Sequence, residues 1–565
     1  MLRNGVVAQK ITSSSTAEYF SKNLQQVGFS SGTKAVLTTL KEAVDNSLDA
    51  CEDAGILPDI EVEIEKVGAG AQKNWDLIRV KVTDNGPGLH PDDLPRVYGE
   101  YLASSKFGRG RCSRGQQGIG ISAATTWAQL TSTRGVNIVS KTAKMPQAVK
   151  GVIEVDIKKN KGVFKNVKKV KITKKSGVSV EFFFDGRLQI NGDGGILTYL
   201  QATSLVNPHL HLRFKINQDD WVDLERLSDI KIAIPKAIAP HPHTMKLGEF
   251  VGHANLYGKT ALTKFLKTAF SRLGDSVIKQ ITNKGVKKAA LKKPVDSLSP
   301  ADLKNLYSAL QDAKLLAPST KSVLSIGEDG LSKSIKRLGD IDFFSVISRK
   351  PKICDAKPVV IEVAIARFLN SKSSDEDSSS TVLRFANRVP LQFDKSSCAI
   401  VKAIESVNWK SYGLSQSKKS IPQGPYVIAV SMVSPFIKFK NASKETIDSS
   451  NELVEEIRLT LMQAGQRLSK HIKKEKKAAD LESKKQHIEK FAPVLITCIG
   501  RILKAPESRL EKAKKGLNKI LGRDTDVAEA ALKEAIVKQE KMKAKIAKTR
   551  ETTDTKKTKK KKGKK

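Results

Sequence analysis

The chain is short of the residues that would make it a cross-linked or membrane-bound scaffold. Its five cysteines, Cys51, Cys112, Cys354, Cys398 and Cys498, show no Cys-x-x-Cys pair and no even-numbered framework. That excludes a zinc ribbon and a disulfide cage, and it fits a reducing, intracellular compartment. No apolar run approaches the length of a membrane span, and MLRNGVVAQKITSSSTAEYF lacks the apolar core of a signal peptide. A soluble protein with no membrane partner is expected. Acidic residues are also scarce, 59 against 99 Lys plus Arg, for a formal net charge of +40. Such an imbalance points to a polyanionic partner, nucleic acid before an anionic membrane surface, although a solubilising surface with basic tails has the same composition. With 565 residues there is room for three or four domains.

What is present is strongly patterned. Ser13 to Ser30 is polar with an aromatic pair, Tyr19 and Phe20, and reads as a strap before the first long helix. From Thr33 to Asp53, Leu37, Leu40, Val44 and Leu48 recur at helical spacing, so a buried stripe is expected. Glu42, Asn46 and Asp49 share another face, where a merely solvated acidic surface would look the same. IEVEIEKV and IRVKVTD alternate with period two, and Asp84 continues the buried parity of Ile78, Val80 and Val82. A carboxylate there is costly unless paired, although Asp-Asn-Gly-Pro-Gly also breaks strands for its own reasons. Beyond the short helix ISAATTWAQL, IVSKTA, GVIEVDIKK, KKVKITKK and GVSVEFFF read as strands, with LRFKI closing the layer.

A proline-punctuated connector, PKAIAPHPH, precedes a Lys-rich helical stretch in which Ser299 caps the helix opened by Pro300. GHANLYGKT only looks like a phosphate-binding P-loop: Gly252 and Gly258 enclose five residues where that motif needs four. Strands return in VVIEVAIARFL, VLRFANRVPLQF and YVIAVSMVS. Helices are expected to resume at Ser443, with Leu453, Ile457, Leu461 and Ala464 in one long amphipathic helix toward Lys474. Past it, charged helix is expected to be broken by FAPVLITCIGRILK. Eight lysines among the last ten residues cannot build a core, so a disordered basic tail is expected.

One stretch carries chemistry. ATP hydrolysis needs a group to activate or orient water, a magnesium ligand, an adenine reader and backbone N–H groups around the phosphates. Glu42 suits the first role, and Asn46, one helical turn later, offers an amide oxygen to magnesium. Asp84 can accept from the adenine amine. Gly86 and Gly88 let the chain turn beside the base, and Gly115, Gly118 and Gly120 let backbone donors approach phosphates at a helix start. A lone glycine loop would be weak, but Glu-x-x-x-Asn, Asp-x-Gly-x-Gly and Gly-x-x-Gly-x-Gly follow in order within about eighty residues.

With these motifs the chain resembles the ATPase superfamily of gyrase, ninety-kilodalton heat-shock chaperones, MutL proteins and histidine kinases. EAVDNSLDACEDAG, DNGPG, YLASSKFGR, RGQQGIGIS, DAKLLAP, RFANRVPL and SPFIKFKNASKETI are similar within it to the B subunits of DNA topoisomerase VI, the type IIB enzyme of archaea and plants. The resemblance implies an α+β chain: an ATPase α/β sandwich with its strap (1–234), a helix-two-turn-helix domain (235–320), a transducer with a long C-terminal helix (321–475) and a charged extension with a Lys-rich tail (476–565).

The same resemblance carries nucleotide contact to Ser105, Lys106 and the stretch Gly115, Gln116, Gln117, Gly118, Ile119, Gly120, Ile121 and Ser122. It makes Lys444 a switch lysine reaching from the transducer to the γ-phosphate. ATP and Mg2+ are the implied cofactors. The implied partners are double-stranded DNA, a second copy on ATP binding and a DNA-cleaving A subunit in an A2B2 heterotetramer, in the cytoplasm of an archaeon or the nucleus of a eukaryote. Two features depart from the superfamily: Val178 stands where a hydroxyl is usual, and Gly108 to Ser113 forms a longer, basic lid. A MutL-like ATPase clamp and a non-catalytic scaffold are the competing readings.

Overall fold

The computed structural model describes residues 13–104, 110–115, 117–232, 234, 237–369, 379–517 and 519, and among these the fold is α+β. Contacts divide the chain into two units, Met1–Ser469 and Lys470–Lys565. The Lys-rich tail expected to be disordered lies outside the described residues, as do Ser105, Lys106, Gln116 and part of the basic lid.

The first unit begins with the strap. Ser15 caps α1 (Thr16–Lys22) by accepting from Glu18 N at 3.0 Å, and Phe20 stacks on Tyr101 with ring centroids 5.2 Å apart. Helix α2 (Gly32–Asp53) is capped by Ser31 and buries Leu37, Leu40, Val44 and Leu48, the i, i+3, i+4 stripe that a helix presents to a sheet. The strands are β1 (Asp59–Ala69), β2 (Asp76–Thr83), β3 (Val136–Lys141), β4 (Ala148–Asp156), β5 (Lys161–Val170), β6 (Gly177–Gly186), β7 (His211–Ile216) and β8 (Val222–Leu224). They form one sheet ordered β5-β4-β3-β6-β2-β1-β7-β8, in which β1 and β7 run parallel. Helices α3 (Leu94–Gly99), α4 (Gly120–Ser132) and α5 (Ile196–Val206) belong to the same sandwich, with α2 and α4 packed on β6. Leu40, Leu48, Phe182, Phe184 and Phe214 are essentially inaccessible in its core, and burying each such side chain stabilises by about 1.5–3 kcal/mol.

A helical cluster follows: α6 (Leu247–Asn255), α7 (Leu262–Ala269), α8 (Asp275–Asn283) and α9 (Pro300–Gln311), around Phe250, Phe265 and Leu306. Ser299 and Asp302 form a reciprocal capping box at α9. The second sheet comprises β9 (Ile341–Ser348), β10 (Lys352–Cys354), β11 (Lys357–Phe368), β12 (Thr381–Ala386), β13 (Val389–Leu391) and β14 (Tyr426–Val433), ordered β10-β11-β14-β12-β13 with β9 also on β11. Flanking it are α10 (Glu328–Ile335) and α11 (Ala399–Ser406). The β12–β13 turn is Asn387-Arg388, at φ +48° and +64°, the two left-handed residues that suit a tight hairpin.

Three expectations need correction. The strand expected over KKVKITKK is instead β5, which ends at Val170. Its partner β4 starts at Ala148, opposite Val170, and Pro146 just before it lacks the N–H to continue the ladder. No helix begins at Ser443: Lys444 stands at φ +55°, a Phe439–Ile447 bridge closes the segment into a turn, and α12 (Asn451–Ile502) starts later. FAPVLITCIGRILK breaks the helix only at its end: α12 runs through Pro493 and stops at Ile502. A proline removes one internal hydrogen bond, and the surrounding helix formers keep the rest. The unit division falls within α12; in the second unit a further helical stretch covers 507–517.

Candidate active site

Helix α2 sends Glu42 and Asn46, one turn apart, to the wall of a cavity of about 240 Å³. Asp84, Gly88, Gly115, Gln117, Gly118, Ile119, Gly120, Ile121, Val178 and Lys444 also line it. The strand parity places Asp84 inward, 5% exposed. Its carboxylate is paired: Oδ1 accepts from the N–H groups of Gly86 (2.9 Å) and Val178 (3.0 Å), and Oδ2 from the Ser47 hydroxyl (2.8 Å). Burial pushes its pKa above the ordinary value, with those three donors pulling the other way.

The glycines are dictated by close approach. Gly88 is at φ +72°, and a Cβ there would stand 2.0 Å from the Lys141 carbonyl oxygen. At Gly120 a Cβ would stand 2.0 Å from Glu42 Oε2, so the Glu42 carboxylate lies directly against the first residue of α4. Its N-cap, Ile119, supplies no side-chain hydrogen bond, leaving the first-turn N–H groups of a 13-residue helix at the cavity wall. Such a terminus favours an anion.

Not every expected residue faces the cavity. Gly86 is held beneath Asp84, and the Ser122 hydroxyl donates to the Glu100 carbonyl at 2.8 Å. Val178, lacking a hydroxyl, contributes its backbone N–H to Asp84 instead. Ser105, Lys106 and Gln116 are among the residues not described. Lys444, from the loop before α12, reaches across and donates from Nζ to the Arg114 carbonyl oxygen at 3.0 Å.

A buried polar cluster behind the glycine loop has no counterpart in the sequence pattern. Arg114 donates to Asp49 Oδ1 (2.9 Å), to both oxygens of Glu52 (2.7 and 3.0 Å) and to Asn207 Oδ1 (2.6 Å). Glu52 also accepts from Arg388 (2.6 and 3.1 Å) and lies 2.9 Å from His209 Nε2. Burial alone would raise the Glu52 carboxyl, but the Arg114 and Arg388 guanidinium groups hold it well below the ordinary value. Asp49 is thus an ion-pair partner and not part of a solvated face. Its spacing from Glu52 on α2 was visible in the sequence; which cations would meet them was not.

The histidine kinase-, DNA gyrase B- and HSP90-like ATPase family matches residues 33–175, and the topoisomerase VI B subunit transducer family matches 318–484. The B subunit of type 2 DNA topoisomerase 6 from Archaeoglobus fulgidus is 34% identical over 500 residues, covering 88% of this chain and 81% of the relative. That of Pyrococcus furiosus is 29% identical over 571 residues, covering 93% and 97%. The ATPase region of Saccharomyces cerevisiae topoisomerase II superposes with a TM-score of 0.41 at 12% identity, over 83% of this chain and 98% of that one. The transducer match and the full-length relatives set aside the MutL-like clamp. The chain belongs to the family of type 2 DNA topoisomerase 6 B subunits, the ATP-dependent component that its motifs implied.

Proposed function

We propose that ATP binds in the 240 Å³ cavity and that its binding closes two copies of this chain into a gate for DNA passage. The observation that supports this most directly is the convergence of Glu42, the open N-terminus of α4 and Lys444 on one loop. In this reading Asp84 accepts the adenine amine, while Ser47 and two backbone N–H groups keep its carboxylate in place. The N–H groups from Gly118 to Ile121 cradle the phosphates, and by the family resemblance Ser105, Lys106, Gln116 and Gln117 contact the nucleotide as well. Glu42 orients water and takes its proton.

Asn46 fits a magnesium ligand: its side chain lines the same cavity one turn from Glu42, and magnesium takes one or two protein oxygens beside phosphate oxygens and waters. Bound there, the ion would neutralise phosphate charge. Lys444 senses the γ-phosphate and carries that contact to the second sheet.

Residues 1–234 then act as the ATPase domain, 235–320 as the helix-two-turn-helix domain, 321–475 as the transducer and 476–565 as an extension. DNA cleavage belongs to an A subunit in an A2B2 assembly, and the +40 charge provides the attraction to double-stranded DNA. No helix among the described residues is long and apolar enough to cross a membrane. The place of action is with the chromosome, in the archaeal cytoplasm or a eukaryotic nucleus. The test is relaxation of supercoiled DNA by this chain with and without an A subunit, with and without ATP. Activity requiring all three supports the assignment; ATP-independent relaxation, or none with a competent A subunit, removes it.

A further inference from the structure

The buried cluster behind the glycine loop joins two parts of the molecule that a gate has to move in concert. Arg114 immediately precedes Gly115, and its carbonyl receives Lys444. Its guanidinium is fully buried on Glu52 and Asp49. Arg388 is the second residue of the β12–β13 turn, held in the left-handed region, and it grips the same Glu52 carboxylate. Asn207 ties the two arms again, accepting from Arg114 and donating to the Arg388 carbonyl at 3.2 Å. Two guanidinium groups thus face two carboxylates, Glu52 and Asp49, a balance that lets four charges remain ionised in the interior.

Next to this grip the packing is open. A cavity of about 310 Å³, lined by Asp45, Arg114, Asn387, Lys440 and Lys444, lies between the glycine loop and the hairpin turn. Beside it the loop and the turn are joined through the shared Glu52 carboxylate and Asn207, contacts with fixed directions. Ion pairs of this kind have discrete arrangements, kept or broken as a unit.

We propose that Glu52 is a positioning residue for the ATP-driven gate: by holding Arg114 and Arg388 on one carboxylate it makes the glycine loop and the second sheet shift together. Lys444 is then one of two links between nucleotide and transducer, and Glu52 is the other. The inference rests on nucleotide binding in the 240 Å³ cavity. Arg388 and Glu52 do not line that cavity, so loss of coupling separates from loss of binding.

The test uses the full chain and a non-hydrolysable ATP analogue. Half-maximal dimerisation is read by light scattering, ADP affinity by calorimetry and folding by thermal melting. Arg388→Met is expected to bind ADP within twofold of the unaltered chain but to need at least tenfold more analogue to dimerise. Arg388→Lys, which keeps the charge but loses the two-pronged contact, is expected to fall between them and to report alone if the Met variant does not fold. Dimerisation of the folded variants at the unaltered concentration overturns the proposal. So does an equal loss of ADP affinity, which would make Arg388 part of the pocket. Failure of the unaltered chain to bind ADP would instead overturn the nucleotide-site assignment itself.

Discussion

Lys444 and Arg114 lie 330 residues apart in sequence, yet the lysine Nζ donates a 3.0 Å hydrogen bond to the arginine carbonyl oxygen. The lysine's backbone sits at φ +55°, a conformation that costs a non-glycine residue about 1 kcal/mol or more. The loop is held there by neighbours: Lys34 pairs with Glu445 at 2.9 Å, and Arg384 donates to the Glu445 and Asp394 carbonyls.

Lys444→Ala is therefore expected to leave the fold and ADP binding in place while removing ATP-dependent dimerisation. Light scattering with and without ATP reads the effect. Dimer formation at the same ATP concentration as the unaltered chain would show that Lys444 does not report the phosphate.

Glu42→Ala is expected to retain nucleotide binding and lose hydrolysis by about 10²- to 10⁴-fold, the usual consequence of removing a positioned general base. A phosphate-release assay at saturating ATP measures it. Undiminished turnover would reassign the base.

Gly120→Ala tests the same carboxylate from the other side. The added methyl would meet Glu42 Oε2 at 2.0 Å, and the atom it meets is the free end of a flexible side chain. The side chain is expected to yield, so the fold should survive while turnover falls at least about tenfold, a misplacement effect. At Gly88 the obstruction is backbone, with a positive φ as well; Gly88→Ala should lower the melting temperature.

Acid should loosen the first unit through the Glu52 cluster. The Glu52 carboxyl is held below its unfolded value, so its contribution is complete above about pH 4.5 and is lost as pH falls through the depressed folded value. Burial lowers the His209 pKa below 6.5, so the unfolded chain takes up that proton first and stability begins to fall as pH drops through about 6.5. Glu52→Gln should be less stable than the unaltered chain at pH 7, and melting curves taken from pH 7 down through pH 3 should show that difference narrowing below about pH 4.5. Parallel slopes for the two proteins would contradict the assignment of that dependence to Glu52.

Much of the site was legible because it is local. The face shared by Glu42 and Asn46 follows from helical periodicity over four residues, and the inward direction of Asp84 from strand parity over seven. Gly88 announces itself because its positive φ and the Lys141 backbone leave no room for a side chain, and Gly120 because any Cβ there would displace the Glu42 carboxylate. Element ends were less legible. β5 stops where Pro146 ends its partner's ladder, and the start of α12 is delayed by a bridge to Phe439; both depend on a pairing partner outside the segment's own period.

The α+β class, the order of the motifs and the family are all written in the chain's local pattern, because periodicity and motif spacing are properties of adjacent residues. Which charges meet is settled by the folded arrangement alone. Asp49 looks like part of a solvated face, and Glu52 carries no signal, until Arg114 and Arg388 are brought to them from 65 and 336 residues away. Lys444 is one lysine among many until the loop before α12 closes on Arg114. Buried ion pairs are selected by desolvation and direction in three dimensions, and neither leaves a period in the chain.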